Sequence, residues 1–135
     1  MKPKLEYFGP FGRADPIRFA LNKAGIQFED VSVSQQEWAN RKAANNAGEF
    51  GFLPTLTIEG KEYGQTGAIL RMLGSKYGFY DQQNSYNIDS VIELFEEGNN
   101  CLGKLLFMHD EEMIKAEIGR QIEAVHKPAL AFFEK

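Results

Sequence analysis

The stretch Phe50 to Ala68, FGFLPTLTIEGKEYGQTGA, constrains the fold of this chain more than any other. Leu53-Pro54 is an X-Pro pair. Leu56, Ile58 and Tyr63 alternate across a short polar connector, Glu59-Gly60-Lys61, in the pattern of a β-hairpin. Gly64-Gln65-Thr66-Gly67 then opens an apolar helix. A tight hairpin that feeds straight into a helix sets two backbone features side by side. These are the peptide groups of the residue before the proline and the polar start of the next helix. Together they can hold a small, peptide-like anion.

The residues upstream fit a layered α/β arrangement. Lys4 to Phe8 reads as a strand stopped by Gly9-Pro10. In RADPIRFALNKAG, the residues Ile17, Ala20, Leu21 and Ala24 recur at helical spacing, with Asp15 and Pro16 in the first turn and Gly25 as the stop. Ile26 to Val33 alternates weakly as a second strand, and Gln35 to Asn45 reads as a short, polar, exposed helix containing Trp38. A helix from Gln65 to Tyr77 turns Ile69, Met72 and Leu73 inward and ends near Gly78. The expected order is β-α-β-α-β-β-α, built on a sheet that mixes parallel and antiparallel pairs.

Composition shifts at the polar linker Asp81–Asn84, and only helix is expected beyond it. Ile88, Val91, Ile92 and Phe95 keep helical spacing, as do Leu102, Leu105 and Leu106. Gly98-Asn99-Asn100 marks a weak spot where such a long helix is expected to kink or fray. His109 to Glu112 reads as a turn and an acidic helix start. Ile114, Ile118, Ile122, Val125, Ala129 and Phe132 form one stripe, and Pro128 is expected to bend the helix that carries it. Two amphipathic helices cannot bury both apolar faces by themselves. A second subunit, a larger partner or a missing C-terminal segment is therefore expected to cover the apolar tail Ala129–Phe133.

Composition narrows the function class. The chain has 135 residues, 43% apolar and 25% charged, which suits one domain or a small domain with an appendage. A net charge of −4, a pI near 5.2 and the lack of a Lys/Arg run argue against nucleic-acid binding. Cys101 stands alone, so neither an internal disulfide nor a CxxC redox centre is expected, and no metal-ligand spacing occurs. No apolar run approaches the ~18 residues of a membrane span. The N-terminus enters a strand directly, without a leader pattern, and the cytoplasm is the expected location.

Three segments, LEYFGPFGRADPIRF, FLPTLTIEG and GQTGAILRML, resemble in order and spacing the N-terminal domain of cytosolic glutathione transferases of the tyrosine type, nearest in style to the alpha, pi and sigma classes. The resemblance is good over residues 3–80 and loose over 81–135. It implies a thioredoxin-like, glutathione-binding domain at 1–80 and a shortened, partial all-helical domain at 81–135. It also implies an enzyme with glutathione as co-substrate and no metal, usually a homodimer. Conjugation of glutathione to small electrophiles, a detoxification chemistry, is the expected reaction, with peroxide reduction or isomerisation as possible side activities.

Carried over residue by residue, the resemblance gives Tyr7 as the catalytic tyrosine. A free thiol has a pKa of about 8.5, so little of it is thiolate at neutral pH, and a hydroxyl donor aimed at the sulfur favours the anion. Arg13 matches the arginine beside the thiol. Leu53 matches the residue whose backbone pairs with the cysteinyl part of glutathione, and Pro54 is expected to be cis. Gln65 and Thr66 match the pair that holds the γ-glutamyl carboxylate. Trp38 and Lys42 match contacts to the glycyl carboxylate. Phe8 and Gly12, with the first tail helix near Phe95 to Leu106, are expected to border the electrophile.

Each assignment has a plainer counterpart. Tyr7 and Trp38 also read as packing aromatics, Arg13 as a helix-start surface cation, Thr66 as an N-cap, and Pro54 as an ordinary turn proline. Phe50 reads equally as an aromatic wedge for a partner subunit or as core. Asp89, Glu93, Glu96 and Glu97 read mainly as a solvated helix face. Two departures stand out: Phe52 falls where several classes place a polar ligand contact, and Gly67 replaces a bulkier interface residue. The family continues through several more helices after the position of Lys135, including a segment that caps the helical domain. The competing reading is therefore a non-catalytic, transferase-like scaffold subunit of a larger assembly.

Overall fold

The structure, a computed structural model, describes residues 1–9 and 11–134; Pro10 of the expected Gly9-Pro10 stop, Lys135 and the side chain of Phe133 lie outside the described residues. The elements run β1 (Lys4–Tyr7), α1 (Asp15–Lys23), β2 (Glu29–Ser32), α2 (Gln35–Ala43), β3 (Thr55–Ile58), β4 (Lys61–Tyr63) and α3 (Thr66–Tyr77). A 3-10 turn at Gln82–Asn84 leads to α4 (Ser85–Leu105) and α5 (Glu111–Gln121), and a π-helical turn at Ile122–His126 joins α5 to α6 (Lys127–Phe133). The chain divides into two compact units, Met1–Ser85 and Tyr86–Lys135.

The first unit is a thioredoxin-like α/β layer. Its strand order is β2-β1-β3-β4, with β1 and β2 parallel and the other two pairs antiparallel. Side chains alternate across the sheet. Leu5, Leu56 and Ile58 face one side, where Ile17 and Leu21 of α1 and Ile69 and Leu73 of α3 complete the core. Six of these side chains are fully buried, at about 2 kcal/mol each in apolar transfer. The opposite side carries Glu6, registered against Val31 of β2 and Thr55 of β3. A second cluster of Val33, Trp38, Ala47 and Leu53 gathers around α2.

Local chemistry explains the boundaries. The hairpin closes with a two-residue turn, Glu59-Gly60, both at positive φ, because Ile58 lies directly opposite Lys61. Lys61 therefore belongs to the strand and not to the connector. The strand expected at Ile26–Val33 shrinks to Glu29–Ser32. The Ile26 N–H still bonds the carbonyl of Leu21 at 2.9 Å, and ladder pairing starts only where the Glu29 N–H reaches the carbonyl of Pro3 at 2.8 Å. Gly78, left-handed at φ 78°, ends α3.

In the second unit, α4 runs unbroken through Gly98-Asn99-Asn100, where a kink or fray was expected. There Asn99 turns its amide back to donate to the carbonyl of Phe95 at 2.9 Å. Asp110 caps α5 by accepting from the Met113 N–H at 2.8 Å, with Glu111 and Glu112 in the first turn. The chain meets Pro128 with a π turn: the Lys127 N–H bonds the carbonyl of Ile122, five residues back, just ahead of the proline. Of the expected stripe, Ile118, Ile122 and Phe132 remain about 40% exposed.

Candidate functional site

The site grows from the C-terminal end of β1. Tyr7 closes the strand, and the turn after it brings the backbone of Gly12 and Arg13 onto the phenol. The Arg13 N–H donates to the Tyr7 Oη at 3.3 Å. A Cβ at Gly12 would lie only 2.8 Å from that oxygen, and Gly12 has a φ of 122°, so the approach and the backbone both require glycine. A phenolic hydroxyl has two acceptor lone pairs and one proton. The backbone N–H occupies a lone pair and orients the group, which leaves the proton for donation outward.

The turn itself is tied down by Arg18 of α1. Its guanidinium donates to both carboxylate oxygens of Asp30 (2.7 and 3.1 Å), to Asp15 (2.9 Å) and to the carbonyl of Gly9 (3.1 Å). The other oxygen of Asp15 accepts from the Gly12 N–H at 2.7 Å. The hydrogen bond to Asp30, against the cost of burial and with Asp15 adding, raises the already high pKa of Arg18. Sequence reasoning passed over this hub; its signal was the D-x-x-R spacing at the helix start.

Thr66, 4% exposed, donates its hydroxyl to the carbonyl of Arg13 at 3.4 Å. Tyr7, Arg13 and Thr66 thus form one connected chain of hydrogen bonds through the backbone of Arg13. Thr66 is the first residue of α3, and the N-cap position falls on Gln65, which departs from the plain capping role considered for Thr66. Gln65 holds φ 67° and ψ 106°, a costly conformation for a residue with a side chain, and its side chain makes no capping bond. It is exposed, one residue from the buried threonine at the positive end of α3.

The Leu53-Pro54 peptide bond is cis. Leu53 is buried just before β3 and packs in the cluster of Val33, Trp38 and Ala47, against which Tyr7 and Phe8 also lie. Trp38, on a helix otherwise exposed or half-exposed, is 6% exposed and meets Phe8 edge-on at 6.2 Å between ring centroids. Lys42 stays exposed, with its Nζ 5.6 Å from the centre of the Phe52 ring, and borders a cleft of about 340 Å³ with Asn45, Ala47, Gly48 and Gly51. Phe52, where a polar residue was expected in several classes, is therefore an exposed platform for Lys42. Phe50 is not core: it is 47% exposed and lies against Gly64, whose missing Cβ would fall 2.7 Å from its ring.

The structure thus draws Tyr7, Phe8, Gly12, Arg13, Trp38, Leu53 and Thr66 together, with Gln65 following by chain continuity and Lys42 on the flanking helix. Among the described residues, no cluster of His, Cys, Asp or Glu could hold a metal, and no helix is long and apolar enough to cross a membrane.

A four-stranded mixed sheet with a cis-proline before β3 and a polar helix start beside it defines a thioredoxin-like protein. Known proteins narrow this further. Glutathione S-transferase A3 of Mus musculus is 33% identical over 99% of this chain and 61% of its own length. Glutathione S-transferase A2 of Bos taurus is 33% identical over 80% of this chain and 47% of its own length. Prostaglandin synthase D of Nilaparvata lugens superposes with a TM-score of 0.76 at 28% identity, over 93% of this chain and 62% of that one. No family model matches. The chain is similar in sequence and in fold to glutathione S-transferases. It spans about half to three-fifths of the length of these curated relatives.

Proposed function

We propose that this chain binds glutathione at the Tyr7–Thr66 site and acts in a glutathione transferase that adds the thiolate to electrophilic small molecules. The observation that carries this reading is the hydrogen-bonded chain from the Tyr7 hydroxyl through the Arg13 backbone to the Thr66 hydroxyl. One end offers a proton to a sulfur. The other lies at the start of α3, where backbone N–H groups and the Gln65 amide suit a γ-glutamyl carboxylate.

Between these ends, Leu53 would pair with the cysteinyl backbone, and Trp38 with Lys42 would receive the glycyl end. Arg13 would assist Tyr7 at the thiolate, and Phe8 and Gly12 would border the electrophile. The proposed division is a glutathione-binding domain at 1–80 and part of a helical domain at 81–135, working in the cytoplasm as a homodimer. Reduction of peroxides or isomerisation by the same thiolate would use the same residues.

The test is glutathione binding by calorimetry together with turnover of an aryl halide, for wild type and Tyr7→Phe. Losing the hydroxyl is expected to lower turnover by roughly 10–100-fold, to keep binding within a few-fold, and to move the pH–rate profile upward, because the thiolate loses a donor. Binding without turnover, unchanged in Tyr7→Phe, would sink the enzyme reading. That outcome would favour a binding or scaffold subunit, a reading supported by the exposure of Leu106, Phe107 and Leu130 in the second unit (63–82%).

A further inference from the structure

Glu6 is a charged residue where the sheet would ordinarily place an aliphatic one. It sits mid-strand in β1, between β2 and β3, and is 3% exposed. Its carboxylate is met on both oxygens: Lys4 Nζ lies 3.0 Å from Oε2, and the Arg41 guanidinium donates to Oε1 at 3.1 Å. The second arm of Arg41 donates to Glu37, one turn earlier on the same helix. The guanidinium is thus a fixed fork between the sheet and α2.

Helix α2 has little else to fix it. Trp38 is its one buried residue, and the rest of the helix is polar apart from two exposed alanines. A single apolar anchor lets a helix rotate and slide, since hydrophobic contact is non-directional. Arg41 supplies a second anchor three residues further on, on the same face as Trp38, and a charge-assisted hydrogen bond is directional. Two anchors one turn apart set both the rotation and the axial position of α2. Lys42 follows Arg41 directly, so whatever fixes Arg41 also fixes where Lys42 emerges. Glu6 and Tyr7 are neighbours on β1 and face opposite sides of the sheet. One strand therefore carries both the hydroxyl and the clamp.

We infer that Glu6 and Arg41 are positioning residues that lock α2 onto the sheet and so hold Trp38 and Lys42 in place for the glycyl end of the bound tripeptide. The inference rests on the glutathione reading above. Neither residue touches the ligand; both act through α2.

The experiment compares wild type, Arg41→Ala and Glu6→Gln, the last keeping size and an acceptor while removing the charge. Three quantities are measured: the Kd for glutathione, KM with kcat, and hydrogen exchange of the amides of residues 35–43 without ligand. Both variants are expected to speed exchange in α2 without speeding it in α1 or α3. Arg41→Ala is expected to raise Kd and KM about tenfold, with kcat falling far less, the signature of lost binding rather than lost chemistry. In a Lys42→Ala background, Arg41→Ala should add less than its full tenfold, because one of the two groups it positions is gone. Unchanged α2 exchange in both variants overturns the clamp. Faster α2 exchange with an unchanged Kd, or a full additional loss in the Lys42→Ala background, overturns its role in binding. A wild-type chain that does not bind glutathione removes the underlying reading instead, a result read from the first titration before any variant is made.

Discussion

Gly12 is the residue on which the proposed chemistry leans most heavily without taking part in it. A Cβ there would stand 2.8 Å from the Tyr7 oxygen, and the glycine's φ of 122° is one that residues with side chains rarely adopt. Gly12→Ala therefore meets two penalties, backbone strain of about 1–3 kcal/mol and a clash with a rigid ring. The turn cannot relax freely, because Asp15 holds the Gly12 N–H and Arg18 holds Asp15 and the Gly9 carbonyl. The phenol is the freer partner, so it is expected to be displaced. Turnover should fall at least tenfold while far-UV circular dichroism stays close to wild type. A Gly12→Ala chain with wild-type turnover would show that the Tyr7 oxygen is not held by this contact. Tyr7, Arg13, Leu53, Gln65 and Thr66 could all be put forward as candidates from the sequence, since each sits in a local string whose order is distinctive. Arg18 left one local signal, its spacing from Asp15, and Glu6 left none; their longer-range partners, Asp30 and Arg41, lie 12 and 35 residues away, where no local pattern reports a contact.

At the scale of elements, the hydrophobic period located nearly every helix and strand, and the misreadings have physical causes. Ile26 and Phe28 alternate like strand residues because both pack on the main core cluster, yet the backbone there still serves the exit of α1. Gly98-Asn99-Asn100 looked like a break on propensity, but a 21-residue helix absorbs three weak formers when an asparagine can bond back to its own turn. Pro128 was expected to bend a helix, and the chain widens by one residue just ahead of it. Helix α2 has the most sharply testable behaviour, because its hold on the sheet depends on charge. Burial pushes the Glu6 pKa up, but the hydrogen bonds and charges of Lys4 and Arg41 together outweigh it, and the net shift is downward. A carboxylate with a depressed native pKa contributes stability above its unfolded value of about 4.5, and that contribution is lost as pH falls through the native value. Urea midpoints measured from pH 7 down to about 3 should therefore fall more steeply for wild type than for Glu6→Gln, with the two curves converging at the acid end. Parallel curves would mean that the Glu6 charge adds nothing to the fold.

Across the whole molecule, the two units bury very different amounts of apolar surface. Leu5, Ile17, Leu21, Leu56, Ile69 and Leu73 are all fully buried in the first unit, whereas Ile92 is the buried apolar side chain of the second among the described residues. The second unit also has a buried polar tie. Gln121, 3% exposed, donates to the carbonyl of Cys101 and to Glu117, both at 2.9 Å, and Glu117 also pairs with Arg120. Those bonds, Arg120 first, draw the Glu117 pKa down to about 2. Net hydrogen bonds contribute about 1 kcal/mol each, so a few of them cannot match a core of six buried aliphatic side chains. The units should consequently unfold at different denaturant concentrations. The chain supplies a separate probe for each: its one tryptophan, Trp38, lies in the first unit, while α4, α5 and α6 make up much of the helical signal. In urea, the far-UV signal at 222 nm is expected to begin its loss before the Trp38 fluorescence changes, with amides of α1, β1, β3 and α3 the slowest to exchange. Coincident transitions by both probes, with α4–α6 protected as well as the sheet, would mean that the second unit draws its stability from the first and not from its own contacts.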